Sequence, residues 1–457
     1  MFRTAEIYLE QWAKKPDTLR SPLIIRGARQ VGKTYLVEKI GKNCFEQILT
    51  VNFEQLPKAV SCFGNLDPVE IIKNLQMLLG QAITPGKTLL FLDEIQVCPE
   101  SILALRYFKE KMPNLAVIAA GSLLEFTLND ESFRMPVGRV EFLYLYPLSF
   151  KEFLLALGEQ PLAEWIESFS LSVDNSIPEA IHDKALSLVR EYSVIGGMPE
   201  VVEHYIANRL DRTEFQNQQG KLLLGYRLDF PKYTKSNHRL MHMSQVFDRL
   251  SSFITQQVTY SKIVPELSST YIKEALHLLN LSGLCHFVYG SSGAGLPLGA
   301  NINLKKLKII YLDIGLYLRD LKLHSEILLQ KNIELINSGT LAEQFVGQAL
   351  LTQAPYFEKA QLYFWARDKQ GSQAEVDYIC QAHDQIIPIE VKTGASKWLK
   401  SMLLFKSTYH SPFGIRVSSL PGCSLNNVSW KEDKILSIPF YLSSEINRLS
   451  LSLLSLI

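Results

Sequence analysis

The run Gly27-Ala28-Arg29-Gln30-Val31-Gly32-Lys33-Thr34, directly behind the apolar stretch 22–26, constrains this 457-residue chain more than any other feature. It has the form G-x-x-x-x-G-K-[ST]. In such a loop the glycines let the backbone curl until successive N–H groups point at phosphates. The lysine reaches the β- and γ-phosphates, and the hydroxyl ligates Mg²⁺. A helical pattern follows at 35–40, and a helix N-terminus adds partial positive charge to the anion site. The eight residues are read as a site for ATP and Mg²⁺, with Lys33 on the phosphates and Thr34 on the metal. The bland alternative is a glycine turn that happens to carry Lys-Thr, and the strand before and helix after speak against it.

Apolar runs recur at 22–27, 47–54, 88–94, 115–122 and 139–149, with helical patterns between them. Continuous rather than alternating runs predict a parallel sheet covered on both faces, hence an α/β core with ligands at the carboxyl ends of its strands. The third run closes on Asp93-Glu94. Asp93 is placed to support Mg²⁺ and Glu94 to activate the attacking water. Adjacent acids at a strand end are by themselves common surface or capping residues. Behind a phosphate loop they predict ATP hydrolysis. Ser122, ending the fourth run, can sense the γ-phosphate, and it is an equally good helix N-cap. Arg139, before the fifth run, can stabilise transition-state charge in cis or from a neighbouring subunit, or be an ordinary surface arginine.

The length implies about two to four domains. A net charge of +1 argues against a globally basic nucleic-acid binder. The six cysteines (Cys44, Cys62, Cys98, Cys285, Cys380, Cys423) are scattered without a C-x-x-C pair, which suits reduced thiols in a cytoplasmic protein. The N-terminus interrupts its apolar residues with charges, and no run approaches the roughly 20 apolar residues of a membrane span. The apolar tail 449–457 reads as a packing segment. A soluble, cytoplasmic protein with no membrane partner is expected.

Together RGARQVGKT, FLDEIQ, AAGSLLEF, GRVEFLYLYPLSFKEF and IGGMPEVV resemble a prokaryotic AAA-type ATPase family whose members carry a C-terminal domain long labelled as of unknown function. The resemblance covers nearly the whole chain. It implies an ATP-binding core related to the archaeal and signal-transducing ATPases. It would also put Gly196-Gly197-Met198-Pro199 in a helical lid, although such a run is otherwise simply a turn.

Residues 150–235 carry apolar residues at helical spacing. Between 205 and 240 lie Arg209, Arg212, Lys221, Arg227, Lys232, Lys235 and Arg239 against three acids, a basic bias that can face phosphates, another subunit or only solvent. Helical patterns at 244–254, 261–267 and 270–281 precede strands around LCHFVYG and LKIIYLD. Three helices and a hairpin are the layout of a winged helix-turn-helix, and the resemblance agrees. The exposed face of its third helix, Lys273, Glu274, His277 and Asn280, includes an acid, which opposes approach to DNA phosphates.

Farther on, Ala374–Ile379 and Ile386–Lys392 flank a turn at His383-Asp384. Asp377, Glu390 and Lys392 resemble the PD-(D/E)xK nuclease core. Period-two alternation puts Glu390 and Lys392 on one strand face. The carboxylates can hold Mg²⁺ while the ammonium polarises water. Glu343 falls in an almost wholly apolar helical run, 340–352, where a carboxylate wants a partner or a cation. The alternative is a hairpin with Glu390–Lys392 as an ion pair.

The expected architecture is α/β: a P-loop ATPase core (1–155), a helical lid (156–238), a winged helix (239–322) and an α/β restriction-nuclease-like domain (323–457). Glu94, Asp377, Glu390 and Lys392 would be catalytic; Thr34, Asp93, Glu343, Asp377 and Glu390 would hold metal. Expected partners are ATP, then DNA, a second copy of the chain or another protein. The expected function is ATP binding and hydrolysis by a chain whose nucleotide state controls the C-terminal nuclease-like, DNA-binding module. The rival expectation is a nucleotide-dependent protein-interaction switch whose nuclease-like fold does not cut.

Overall fold

Two sheets organise the chain in the computed structural model, which describes residues 1–128, 138–171, 177–207, 212–323, 338–367, 374–393, 399–422 and 434–456. Arg209, Cys423 and Ile457, named above, lie outside the described residues, as does the side chain of Arg212. The chain divides into two compact units. One comprises Met1–Tyr146 with Leu281–Leu284 and Pro355–Lys359; the other comprises Pro147–Asn280, Cys285–Ala354 and Ala360–Ile457.

The first unit is built on β1 (Leu23–Arg26), β2 (Gln47–Asn52), β3 (Thr88–Asp93), β4 (Ala116–Ala120) and β5 (Glu141–Tyr144). They lie in the order β2-β3-β4-β1-β5 and every pairing is parallel. Every residue of β3 and β4 is buried, which is why these runs are continuously apolar. On one face, Ile71, Ile72 and Leu75 of the helix Pro68–Leu79 and Ile102, Leu105 and Phe108 of the helix Pro99–Lys111 pack over Leu90, Leu92, Val117 and Ala119. Each such side chain contributes roughly 1.5–3 kcal/mol on burial. The fifth run, expected to extend over 139–149, is a strand only at Glu141–Tyr144. Pro147, three residues on, has no N–H to continue a ladder.

In the second unit, five helices cover 150–156, 160–168, 179–195, 199–207 and 212–233. The first opens with a capping box: Ser149 Oγ accepts from Glu152 N, and the Glu152 side chain accepts from Ser149 N. Helices Asn237–Leu250, Tyr260–Ile263 and Ser269–Leu281 follow. The sheet contains β6 (Cys285–Ser291), β7 (Ile302–Tyr311), β8 (Leu362–Ala366), β9 (Glu375–Ala382), β10 (Gln385–Lys392), β11 (Gly414–Ser418) and β12 (Ile435–Pro439). Their order is β12-β11-β10-β9-β8-β6-β7. The β6–β7 hairpin thus continues the sheet of the C-terminal strands, with β6 parallel to β8.

The Gly196–Pro199 run is explained within this unit. Asp313, fully buried at the N-cap of the helix Ile314–Asp320, accepts from Gly315 N (3.0 Å), Leu316 N (3.1 Å), Gly197 N (2.6 Å) and Gln348 Nε2 (3.3 Å). Leu148 N donates to Gly197 O at 2.6 Å. Burial raises the Asp313 pKa, and the donors oppose that rise. One carboxylate therefore ties together the 196–199 corner, the 313–316 turn and the helix Ser338–Leu351. Asp313→Asn turns an acceptor into a donor facing donors, and is expected to cost about 2–4 kcal/mol, read as a lower unfolding midpoint.

Candidate functional site: a phosphate loop and a buried acid cluster

The loop of residues 27–34 leaves β1 and runs into the helix Lys33–Cys44. Gly27 must be glycine: its φ is +146°, and an added Cβ would lie 2.2 Å from the Leu145 carbonyl oxygen. Gln30 and Gly32 are also left-handed, with φ of +65° and +94°. Behind the loop, buried Arg3 donates to Val31 O at 2.8 Å and to Tyr146 O at 2.7 Å. Sequence reasoning missed this brace, since Arg3 sits in a stretch read only for targeting signals.

Lys33 is buried and donates to Gly27 O (2.9 Å) and Ala28 O (2.8 Å). Burial lowers its pKa to about 8, with the Glu94 and Asp93 charges acting in the opposite sense and Arg29 adding to the fall. Thr34 Oγ1 donates to Asp93 Oδ2 at 3.2 Å, and Asn52 Nδ2 donates to the same oxygen at 3.2 Å. Asp93 itself is raised by burial and then by its neighbour Glu94. Asn52 was missed, although it ends β2 directly opposite Asp93. The parallel order brings β1, β2, β3 and β4 to one edge, so Lys33, Thr34, Asn52, Asp93, Glu94 and Ser122 converge there. Glu94 Oε2 accepts from Gln96 Nε2 (2.7 Å) and Ser122 Oγ (3.2 Å). A hydroxyl and a carboxylate meeting at 3.2 Å behind a curled glycine loop fit a hydrated divalent ion beside a phosphate.

Arg139 stands differently. Its guanidinium is half exposed and pairs with Glu110 at 3.0 Å on the helix Pro99–Lys111.

In the second unit, the β9–β10 register ends with Ile389 opposite Tyr378 and so sets Glu390 beside Asp377. Val391 N donates to Asp377 Oδ2 at 2.8 Å, and Lys392 Nζ donates to Glu390 Oε1 at 2.6 Å. Tyr378 Oη donates to the Glu343 carbonyl at 2.8 Å, fixing the helix Ser338–Leu351 over these strands. All four residues singled out in the sequence, Glu343, Asp377, Glu390 and Lys392, are brought together. The structure adds two that were missed. Lys308 of β7, 2% exposed, lies 3.4 Å from Glu343 Oε2 and 3.9 Å from Asp377 Oδ1, and pairs closely with Glu375. A lysine inside the buried run Leu307–Leu312 was the signal for it.

Burial raises the Glu343, Asp377 and Glu390 carboxyls above the usual range, the Asp377 charge adding to the rise at Glu343 and Glu390 and the lysines opposing it. For Lys308, burial acts downward, but Glu343, Asp377 and Glu375 outweigh it and hold the ammonium protonated. Glu390 Oε2 is buried without a hydrogen-bond partner among the described residues. As arranged, the expected Mg²⁺ ligands do not fit a metal ion: an ammonium already stands between Glu343 and Asp377. Among the described residues no group of three or more His, Cys, Asp or Glu is arranged to hold one.

Three cations of the basic middle stretch, Arg227, Lys232 and Arg239, are paired with acids of the same unit. Arg227 contacts Asp248 and Asp320, and Arg239 binds Glu274 at 2.7 Å. Lys273 lies over the Tyr260 ring.

Residues 19–154 match a family described as an AAA domain. That segment is an AAA-type ATPase domain, and the protein is an ATPase. Residues 186–326 and 338–441 match two families, each described as a domain of unknown function. Comparison with curated proteins gives no match. Among solved structures, similar chains include a Walker-type ATPase of Pyrococcus abyssi, at 12% identity over 68% of this chain and 94% of that one, with a TM-score of 0.43. AMPPCP-bound DnaA from Aquifex aeolicus gives 12% identity over 60% and 87%, with a TM-score of 0.27. PCH-2 of C. elegans gives 10% over 46% and 62%, with a TM-score of 0.28. Among the described residues no helix is long and apolar enough to cross a membrane.

Proposed function

We propose that the AAA-type ATPase domain works a nucleotide-dependent switch, whose output is a nuclease-like C-terminal module that binds a partner without cutting it. In the ATPase cycle Lys33 exchanges the Gly27 and Ala28 carbonyls for phosphate oxygens. Thr34 and Asp93 would hold Mg²⁺, which would supply positive charge beside the phosphates. Glu94 takes the proton of the attacking water, and Ser122 steadies that carboxylate. Arg139, half exposed and paired with Glu110, would have to leave that pair to stabilise transition-state charge in cis or in a neighbouring copy's site.

The observation that carries the non-cutting reading is Lys308. A buried ammonium among Glu343, Glu375 and Asp377 supplies from within the positive charge that a metal-dependent nuclease takes from solution. One observation favours the second reading, DNA cleavage: the unpartnered Glu390 Oε2 is an acceptor for an additional ligand.

Plasmid DNA incubated with the full chain, Mg²⁺ and ATP separates the two. The switch reading expects no nicking, whether or not nucleotide is present. Nicking that disappears in Asp377→Ala and Lys392→Ala would establish the nuclease instead.

A further inference from the structure

Directly after Asp93 the chain makes an abrupt change of direction. Glu94 is left-handed, with φ of +54°, and caps the 3₁₀ turn Ile95–Val97. This turn folds Gln96 back onto Glu94, where its Nε2 donates to Glu94 Oε2 at 2.7 Å. The same carboxylate oxygen accepts from the Ser122 hydroxyl at 3.2 Å and the Ser122 N–H at 3.4 Å. All three bonds converge on Oε2, which leaves Oε1 as the oxygen able to take a proton.

The other end of the Gln96 amide is equally confined. Its Oε1 is buried without a hydrogen-bond partner among the described residues. A Cβ built on residue 121 would lie 2.3 Å from it, so the amide packs directly against Gly121 and a larger residue there would have to displace it. The carboxylate dictates which way the amide points, since turning it over would set its carbonyl oxygen against Glu94.

We propose that Gln96 is a positioning residue for ATP hydrolysis. Held between the Glu94 carboxylate and Gly121, its amide fixes the carboxylate so that one oxygen is saturated by donors and the other is presented to the attacking water. The proposal rests on Glu94 acting as the base. A base held in the productive orientation contributes about 10²–10⁴-fold to a rate, and loss of its orientation forfeits a part of that.

The test uses the full chain with Mg²⁺ and ATP, with steady-state hydrolysis and binding of a fluorescent ATP analogue as readouts. Gln96→Leu and Gln96→Ala are expected to lower kcat about 10–100-fold, a fraction of what general-base catalysis supplies, with analogue affinity within about twofold. Two variants make the readout independent of folding. Gly121→Ala should lower kcat by displacing the amide, yet adding it to Gln96→Ala should cost nothing more, because the atom it strikes is gone. In a Glu94→Gln background, Gln96→Leu should have no further effect. Full additivity of Gly121→Ala with Gln96→Ala, or a Gln96→Leu enzyme with unchanged kcat, overturns the positioning role. Unchanged hydrolysis in Glu94→Gln instead overturns the assignment of the base, so the two failures are distinguishable.

Discussion

Lys33→Ala is expected to abolish measurable ATP binding, while Glu94→Gln is expected to bind ATP as tightly as the wild type and fail to turn it over. The two effects separate because the residues act at different stages. Lys33 is a buried ammonium at the root of the loop, bonded to Gly27 and Ala28 carbonyls. Its exchange onto phosphate replaces neutral acceptors by anionic ones, and charge-assisted bonds are worth about 1.5–3 kcal/mol each. Removing it forfeits one or more of these, a loss of roughly 100-fold or more in affinity at 1.4 kcal/mol per decade. Glu94 sits across the edge, tied to Gln96 and Ser122. A glutamine there keeps size and polarity but cannot accept a proton, so kcat is expected to fall about 10²–10⁴-fold. Equilibrium binding and single-turnover hydrolysis check the pair. Turnover in Glu94→Gln at the wild-type rate would move the base elsewhere.

The second large effect is expected from Lys308→Met. The ammonium is all but inaccessible, and it faces Glu343, Glu375 and Asp377 from two different elements. Taking away one partner of a buried ion pair costs about 3–5 kcal/mol, because the charge left behind has neither water nor counter-ion. The fall should appear in a denaturant midpoint of the purified protein. Adding Glu343→Gln to Lys308→Met should recover part of it, since that substitution removes one of the orphaned acids. Lys392→Met should cost less, as Lys392 is 27% exposed and among the described residues its close partner is Glu390. A Lys308→Met protein as stable as the wild type would mean that the carboxyls carry their own protons. If Mg²⁺ restores the stability of Lys308→Met, the cluster accepts a divalent ion once the ammonium is gone, which supports the cleaving reading.

Much of this was readable along the chain, for identifiable reasons. A phosphate loop is local: eight consecutive residues supply the turn, the lysine and the hydroxyl, so Gly27–Thr34 needs no tertiary information. A buried parallel strand is continuously apolar, so β3 announced both itself and the acids at its tip. The hairpin turn at His383-Asp384 was equally visible, and His383 is left-handed at φ +52°. Asn52, Gln96, Lys308 and Arg3 were not readable in this way. Each acts through a partner distant in sequence or across a turn, and of the four only Lys308, a cation within an apolar run, stands out by residue type.

The 196–199 corner shows the same limit from the other side. Its sequence promised a turn, and the resemblance offered a place in a helical lid. Its partner is Asp313, 116 residues from Gly197, and no spacing rule connects the two.

The sequence by itself therefore determined the phosphate loop, the acid-tipped strand and three acids of the C-terminal cluster, Glu343, Asp377 and Glu390, because each is written in a contiguous or periodic pattern. Only the tertiary structure decided what those acids face. The order β2-β3-β4-β1-β5 sets Ser122 beside Glu94, and the second sheet carries Lys308 into the cluster. Whether a buried carboxylate is neutralised by an internal ammonium or left to take a metal depends on charges a few ångströms away, and strand order, not chain order, sets that distance.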